Sequence, residues 1–154
     1  MEFWQVLKNR HSVRSFDHNK KLTDEQIDKL IEAGRLAPTA GNIKDCRFFV
    51  VETQSKKEAL AKTALNQEFI ADAPVVIVVA SDLAVCEEHY ANRGMDVYSY
   101  VDAAMASQNI LLAVTEMGLG AVPIGAFEES EVRDILQAGN DIRPVLIIPV
   151  GYKV

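Results

Sequence analysis

This chain has little that could cross-link it, hold a metal or grip nucleic acid. Only two cysteines occur in 154 residues, Cys46 and Cys86, far apart and outside any CxxC or Cys/His grouping. That distribution gives no support to a disulfide scaffold, a redox dithiol or a metal centre, and both thiols are expected free and buried in a reducing compartment. Basic residues number 16 against 22 acids, a net charge of -6. A broad basic face for a phosphate backbone is therefore missing, no nucleic-acid partner is expected, and any anion must be held by a local cluster. No apolar run approaches the roughly 20 residues of a membrane span. The opening MEFWQVLKNRHSVR lacks the apolar core and cleavage site of a secretory signal. A cytoplasmic protein that does not touch the membrane is the expectation. The local motifs of phosphoryl transfer and hydrolysis are also missing: no P-loop, no G-x-S-x-G, no H-E-x-x-H, and His11, His18 and His89 are dispersed.

What is present reads as one globular domain spanning residues 1–154, with 49% hydrophobic and 25% charged residues. Apolar spacing predicts helices over about Phe3 to Asn9, from Thr23 onward, over Ser55 to about Leu65, Leu83 to Ala91, Tyr98 to Met117 and Glu128 to Ala138. In the first, Phe3, Val6 and Leu7 share a face. The second opens on Thr23-Asp24-Glu25-Gln26, a capping box. The third is expected on the surface, with its lysines outward. The Tyr98–Met117 segment is apolar nearly all round, so it should be central or lie in a subunit interface, and Gln108 and Asn109 inside it must find partners, most simply in backbone. Cys46–Glu52, Pro74–Ala80 and Val145–Val150 read as strands, the second covered on both faces because its β-branched run does not alternate. Gly120–Phe127 is a loop or short strand. Helices and strands mixed in this way indicate a layered α+β or α/β sandwich.

Three stretches could carry chemistry. Arg10-His11-Ser12-Val13-Arg14 follows the first helix; if extended, it places Arg10, Ser12 and Arg14 on one side and His11 and Val13 on the other. Two guanidiniums and a hydroxyl would suit a phosphate, although basic residues at a helix end also complement its dipole without binding anything. Ala37-Pro38-Thr39-Ala40-Gly41-Asn42 is an ordinary helix-to-strand turn by composition, yet its small side chains would let backbone approach a planar ligand. Gly118-Leu119-Gly120-Ala121-Val122-Pro123-Ile124-Gly125 is not a Rossmann fingerprint, because Gly118 closes a helix where that motif must open one.

Taken together, the RHSVR start, the APTAGN loop, the QEFIADAPVVIVVA strand entry, VDAAMASQNILLAVTEMGLG, AVPIGAF and the closing RPVLIIPVGY resemble, in wording and in order, the nitroreductase family of FMN-dependent oxidoreductases. The resemblance spans nearly the whole chain. It implies a mixed-sheet α+β sandwich flanked by helices, with the long central helix in a dimer interface. It also implies an obligate homodimer with helix exchange and FMN lying between subunits. Arg10, His11, Ser12 and Arg14 would then contact the flavin phosphate and the pyrimidine edge. Pro38, Thr39, Ala40 and Asn42 would reach the flavin from the other subunit. Pro123, Ile124 and Gly125 would lie over the ring, with the Gly125 amide toward N5. Asn66 and Gln67 would add a ring contact. NAD(P)H would deliver hydride to the flavin, and a nitroaromatic, quinone or similar small acceptor would take it up, with no catalytic side chain and no metal required. A non-catalytic FMN-binding relative, or other flavin chemistry such as dehalogenation, is the alternative. Two departures stand out. Lys44-Asp45-Cys46 occupies the place where the family commonly has Gln-Pro-Trp, and the chain stops at Val154 where relatives continue into a basic tail. Either Lys153 substitutes for that tail's phosphate contact or FMN binds more weakly.

Overall fold

The computed structural model describes all residues, Met1 to Val154. Strand β2 (Val75–Asp82) is the axis of the molecule, and its uninterrupted apolar sequence is explained by what lies on each side. Alternate residues point to opposite faces of a strand. Val75, Ile77 and Val79 enter one core, Val76 and Val78 another, and all five are essentially inaccessible to solvent. β2 pairs antiparallel with β1 (Cys46–Val51) on one side and with β4 (Ile142–Gly151) on the other, and β4 pairs antiparallel with the two-residue β3 (Gly120–Ala121). The sheet order is therefore β1-β2-β4-β3. The parallel component of this mixed sheet is a single bridge, Ser12 to Ala121.

Helices cover both faces. On one face α2 (Asp24–Arg35) and α6 (Ser99–Glu116) supply Ile27, Leu30 and Ile31, and Ala103, Ala106, Ile110 and Val114. On the other, α3 (Gln54–Thr63), the single-turn α4 (Phe69–Asp72) and α7 (Glu129–Leu136) contribute Leu60, Ala61, Ile70 and Val132. The capping box forms as the sequence indicates: the Gln26 amide donates to Thr23 Oγ1 at 3.2 Å and the Thr23 amide to Gln26 Oε1 at 2.9 Å. α6 follows α5 (Leu83–Arg93) through a π-turn over Gly94–Tyr98. It ends in a Schellman motif: Gly118, at φ +74, donates to Thr115 and Leu119 donates to Val114. No helix is long and apolar enough to cross a membrane.

Several local expectations are corrected. In α1 (Phe3–Asn9) only Val6 is buried, whereas Phe3 is 62% exposed, because the helix lies on the rim of the molecule and α6 covers only part of it. α3 is not purely a surface helix, since Lys57 is buried with its ammonium on the Ala73 carbonyl at 2.7 Å. α4, within the stretch expected to lead straight into a strand, is an added turn of helix. Cys86 is buried, but Cys46 is half-buried at the mouth of a cleft, and both thiols are free. Within α6, Asn109 finds the Ala33 carbonyl at 3.1 Å while Gln108 simply faces solvent.

Candidate functional site

Most of the residues singled out in the sequence collect at two opposite edges of the sheet, with Asn66 and Gln67 on one of its faces. At the β3 edge, α1 stops at Arg10, which already has extended backbone (φ -63, ψ 119). The chain then runs along β3, with the Val13 amide donating to the Ala121 carbonyl at 3.0 Å. Because Arg10 is a helix cap rather than a strand residue, it does not follow the alternation expected of a fully extended segment. Arg10, His11 and Val13 border a hollow together with Lys153, while Ser12 and Arg14 open to solvent. The hollow measures only about 10 Å³. That is room for about one water, so a larger anion has to lie across the mouth, not inside. Lys153 reaches this point because the last residues pair back, Phe16 against Lys153.

The cations of this edge have no acid to neutralise them. Arg10, Arg14 and Lys153 form no salt bridge, in contrast to Arg47, which pairs with Asp82 at 2.9 Å. His11 Nδ1 lies 2.8 Å from the Asn9 carbonyl, which fixes its ring at the end of α1. Beyond β3 the chain turns through Pro123, Ile124 and Gly125. Ile124 exchanges both backbone hydrogen bonds with Ile147, at 2.8 and 2.9 Å, which ties the turn to β4. The next amide, that of exposed Gly125, donates to nothing in the chain. Asn66 and Gln67 sit between α3 and α4, on the side of the sheet where Ile124 packs. Asn66 is exposed at φ +56, and Gln67 Nε2 donates to the Ala64 carbonyl at 2.9 Å.

Pro38, Thr39, Ala40 and Asn42 belong to the other edge. They lead from α2 through a 3-10 turn, Ala40–Asn42, toward β1. Thr39 and Asn42 line a cleft of about 530 Å³ with Arg35, Lys44, Cys46 and Phe48. Thr39 Oγ1 accepts the Lys44 amide at 3.0 Å, which closes the loop on itself. Between this edge and the basic one stand all four strands, so within one chain the APTAGN loop does not reach Arg10–Arg14.

Comparison with known proteins bears on this arrangement. The model of the nitroreductase family matches residues 7–67 and 52–152. The chain belongs to the nitroreductase family. A Bacillus subtilis FMN reductase (NADPH) is 30% identical over 161 residues, covering 96% of this chain and 64% of its own length. A Methanothermobacter thermautotrophicus protein, provisionally named as an NADH dehydrogenase/NAD(P)H nitroreductase, is 28% identical across 99% of this chain and 78% of its own. Among solved structures, a nitroreductase family protein from Clostridium novyi superposes with a TM-score of 0.88 at 27% identity, covering 100% of this chain and 86% of that one.

Within this nitroreductase frame, two acids occupy the root of the APTAGN loop: Asp102, which the sequence reading did not single out, and Asp45, which it named only as part of a departure from the family pattern. Asp102, on α6, accepts the Ala40 amide with both carboxylate oxygens, at 3.1 and 3.0 Å. Asp45, in the Lys44-Asp45-Cys46 departure, accepts Ser81 Oγ and, at 3.3 Å, Cys86 Sγ through Oδ2, while its Oδ1 has no partner. Both are buried. Burial pushes the Asp102 carboxyl up to about 6; the Ala40 amide opposes the rise and Asp45 reinforces it. The available signal for Asp102 was an acid set among alanines and apolar residues in the first turns of a largely apolar helix, where a buried charge without a function would be costly.

Proposed function

We propose that the chain is an FMN-dependent NAD(P)H oxidoreductase that works as a homodimer and passes reducing equivalents to a small acceptor such as a nitroaromatic or a quinone. The observation that carries this reading is the set of unused donors along one edge: the Arg10, Arg14 and Lys153 cations without acids, the Ser12 hydroxyl without a partner and the free Gly125 amide. This donor set fits a flavin mononucleotide. Guanidinium forks suit phosphate oxygens, and a backbone amide suits a ring nitrogen. FMN, when bound, supplies the two-electron chemistry; the chain supplies binding and orientation. Arg10 and Lys153 hold the anionic end with Ser12, Arg14 places positive charge at the pyrimidine edge, and the Gly125 amide fixes the ring over the Pro123–Ile124 turn. The names of the relatives, an FMN reductase (NADPH) and an NAD(P)H nitroreductase, support the same donor and cofactor.

The homodimer is supported by what one chain leaves open. Phe3 and Trp4 are 62% and 70% exposed, and Tyr100 and Val101 on α6 are also exposed. Apolar surface of this kind normally marks an interface. A ligand of this size usually occupies a pocket of at least about 300 Å³, which the basic edge of a single chain does not provide. A second copy would bring its Pro38–Asn42 segment, with Asn66 and Gln67 of the first, around the ring. The free thiols suit the reducing cytoplasm.

The test is an anaerobic visible spectrum of the protein after FMN addition and desalting, then with NADH or NADPH. A retained flavin band that bleaches with one nucleotide is the expected result and identifies the donor. A retained band that neither nucleotide bleaches would leave a flavin-binding protein without reductase activity. Loss of the flavin on desalting would remove Arg10, Ser12 and Arg14 as its anchor.

A further inference from the structure

The cleft of about 530 Å³ beside β1 is lined by no acid, although acids outnumber basic residues 22 to 16 in the chain. Two other large hollows differ in this respect: one of about 340 Å³ carries Glu52 and Asp72, and one of about 360 Å³ carries Glu58, Glu68 and Asp72. Three cations line the acid-free cleft, Arg35, Lys44 and Arg47. Arg47 is engaged within the chain, with one guanidinium nitrogen on Asp82 at 2.9 Å and another donating to the Lys44 carbonyl at 2.9 Å. Arg35 and Lys44 are exposed and form no salt bridge. Lys44 is also held where a lysine is unfavourable, in the left-handed region at φ +53. Its amide donates to Thr39 Oγ1 at 3.0 Å and its carbonyl accepts Arg47, so the backbone is fixed on both sides. Strain of this kind persists only where the surroundings impose it, and it collects at binding sites. Phe48 and Phe49 add aromatic surface along the open side of β1, whose one strand partner is β2.

We infer that this cleft takes the adenosine end of the pyridine nucleotide, and that Arg35 and Lys44 select a 2′-phosphate there, so that NADPH is preferred to NADH as the hydride donor. The 2′-phosphate is the one group by which the two donors differ, and it adds about two negative charges. A guanidinium pairs with two phosphate oxygens and an ammonium acts as a compact point charge, so the two unpaired cations recognise this group in complementary ways. The absence of acids leaves no repulsion to cancel that attraction. An adenine ring suits the phenylalanine surface, and the volume falls within the roughly 300–1,000 Å³ of small-molecule sites. Thr39 and Asn42 border the same cleft, so a nucleotide seated there has its other end beside the loop that would line the partner's flavin. That continuity rests on the proposed oxidoreductase role, whereas the recognition of the phosphate in the cleft does not. Arg35 and Lys44 determine specificity and touch no reacting atom.

The test titrates the full chain by calorimetry with adenosine 2′,5′-bisphosphate and with adenosine 5′-phosphate, so that no hydride transfer is needed. The bisphosphate should bind roughly ten-fold more tightly, and the preference should shrink as salt is raised. In the double variant Arg35→Gln with Lys44→Asn both charges are removed from exposed positions, and asparagine tolerates the left-handed backbone. The preference should disappear in this variant while its thermal midpoint does not fall. Equal binding of the two nucleotides by the unmodified protein, the result expected if a second subunit filled the cleft, would overturn the proposal, and so would a preference that survives both substitutions. With FMN bound, the double variant should show a KM for NADPH raised about ten-fold, with kcat, the KM for NADH and flavin retention unchanged. Loss of the flavin in the variant would instead assign the two cations to the flavin site and overturn their role in donor choice. If the unmodified protein retains no FMN, the oxidoreductase reading fails, and the nucleotide titration still decides the cleft.

Discussion

The Val13 amide and the Ala121 carbonyl meet at 3.0 Å, and this bond lays the Arg10–Arg14 segment along the edge of the sheet. It is possible only because the neighbouring residue has no side chain. A Cβ on Gly120 would stand 2.8 Å from Val13 Cγ1 and from Lys153 Cγ, and 2.9 Å from Val13 Cβ. Gly120→Ala should therefore push the basic segment and Lys153 off the edge. Overpacking of this kind costs about 1–3 kcal/mol. The checks are a urea midpoint, which should fall, and protection of the Val13 amide, which should be lost while the core of β2 stays protected. Full protection at Val13 in the variant would show that the segment adapts without releasing its bond.

Helix α7 ends with the same hydrogen-bond pattern as α6, the Ala138 amide to Arg133 and the Gln137 amide to Asp134, but the left-handed position is filled by Gln137 at φ +54. A side chain at this position costs about 1 kcal/mol relative to glycine. Gln137 is exposed, so nothing else is lost on replacing it. Gln137→Gly should raise the unfolding free energy by about 0.5–1 kcal/mol, reduced by the greater freedom glycine gives the unfolded chain. An unchanged or lower thermal midpoint would show that the unfolded-state term wins.

Both thiols should be inert. Burial, reinforced by the negative charge of Asp45, pushes Cys46 up to about 12, and burial likewise pushes Cys86 up to about 11. A thiol with a raised pKa is protonated at neutral pH, and it is the thiolate that reacts. Iodoacetamide at about pH 8 should leave both unmodified in the folded protein and label both in denaturant, read by intact mass. Rapid labelling of the half-buried Cys46 in the folded state would mean that the cleft opens and exposes its thiolate.

Much of the scaffold was legible because its signals are local. The Thr23–Gln26 box fixes the start of α2 from four consecutive residues, and the unbroken Val75–Ala80 run reports burial on both faces without knowing what covers it. Position in three dimensions was not legible. Phe3 has the right spacing to face inward, yet the rim of the molecule leaves it outside. Lys57 looks like any surface lysine until α4, itself too short to show a period, brings the Ala73 carbonyl over it. Asp102 lies 62 residues from Ala40 in sequence and takes its amide only once α6 is packed behind the loop that precedes β1. The chemical types of the candidate site residues could be read from the chain; their division between two edges of one sheet could not.

That division leads to a prediction about assembly. If each flavin site is built from the basic edge of one subunit and the loop of the other, two defective variants should complement. Arg10→Ala with Arg14→Ala removes the edge, and Thr39→Val with Asn42→Gly removes the loop side chains while respecting the positive φ at Asn42. Each variant alone should lose most FMN retention and turnover. After the two are unfolded together and refolded, statistical pairing makes half of the dimers mixed. In a mixed dimer one site carries both defects, whereas the other joins an intact edge to an intact loop. Recovery should therefore approach about a quarter of the unmodified activity per site, a consequence of two-fold symmetry alone. A site completed within one chain would contain one defect in every subunit, and refolding the mixture would restore nothing.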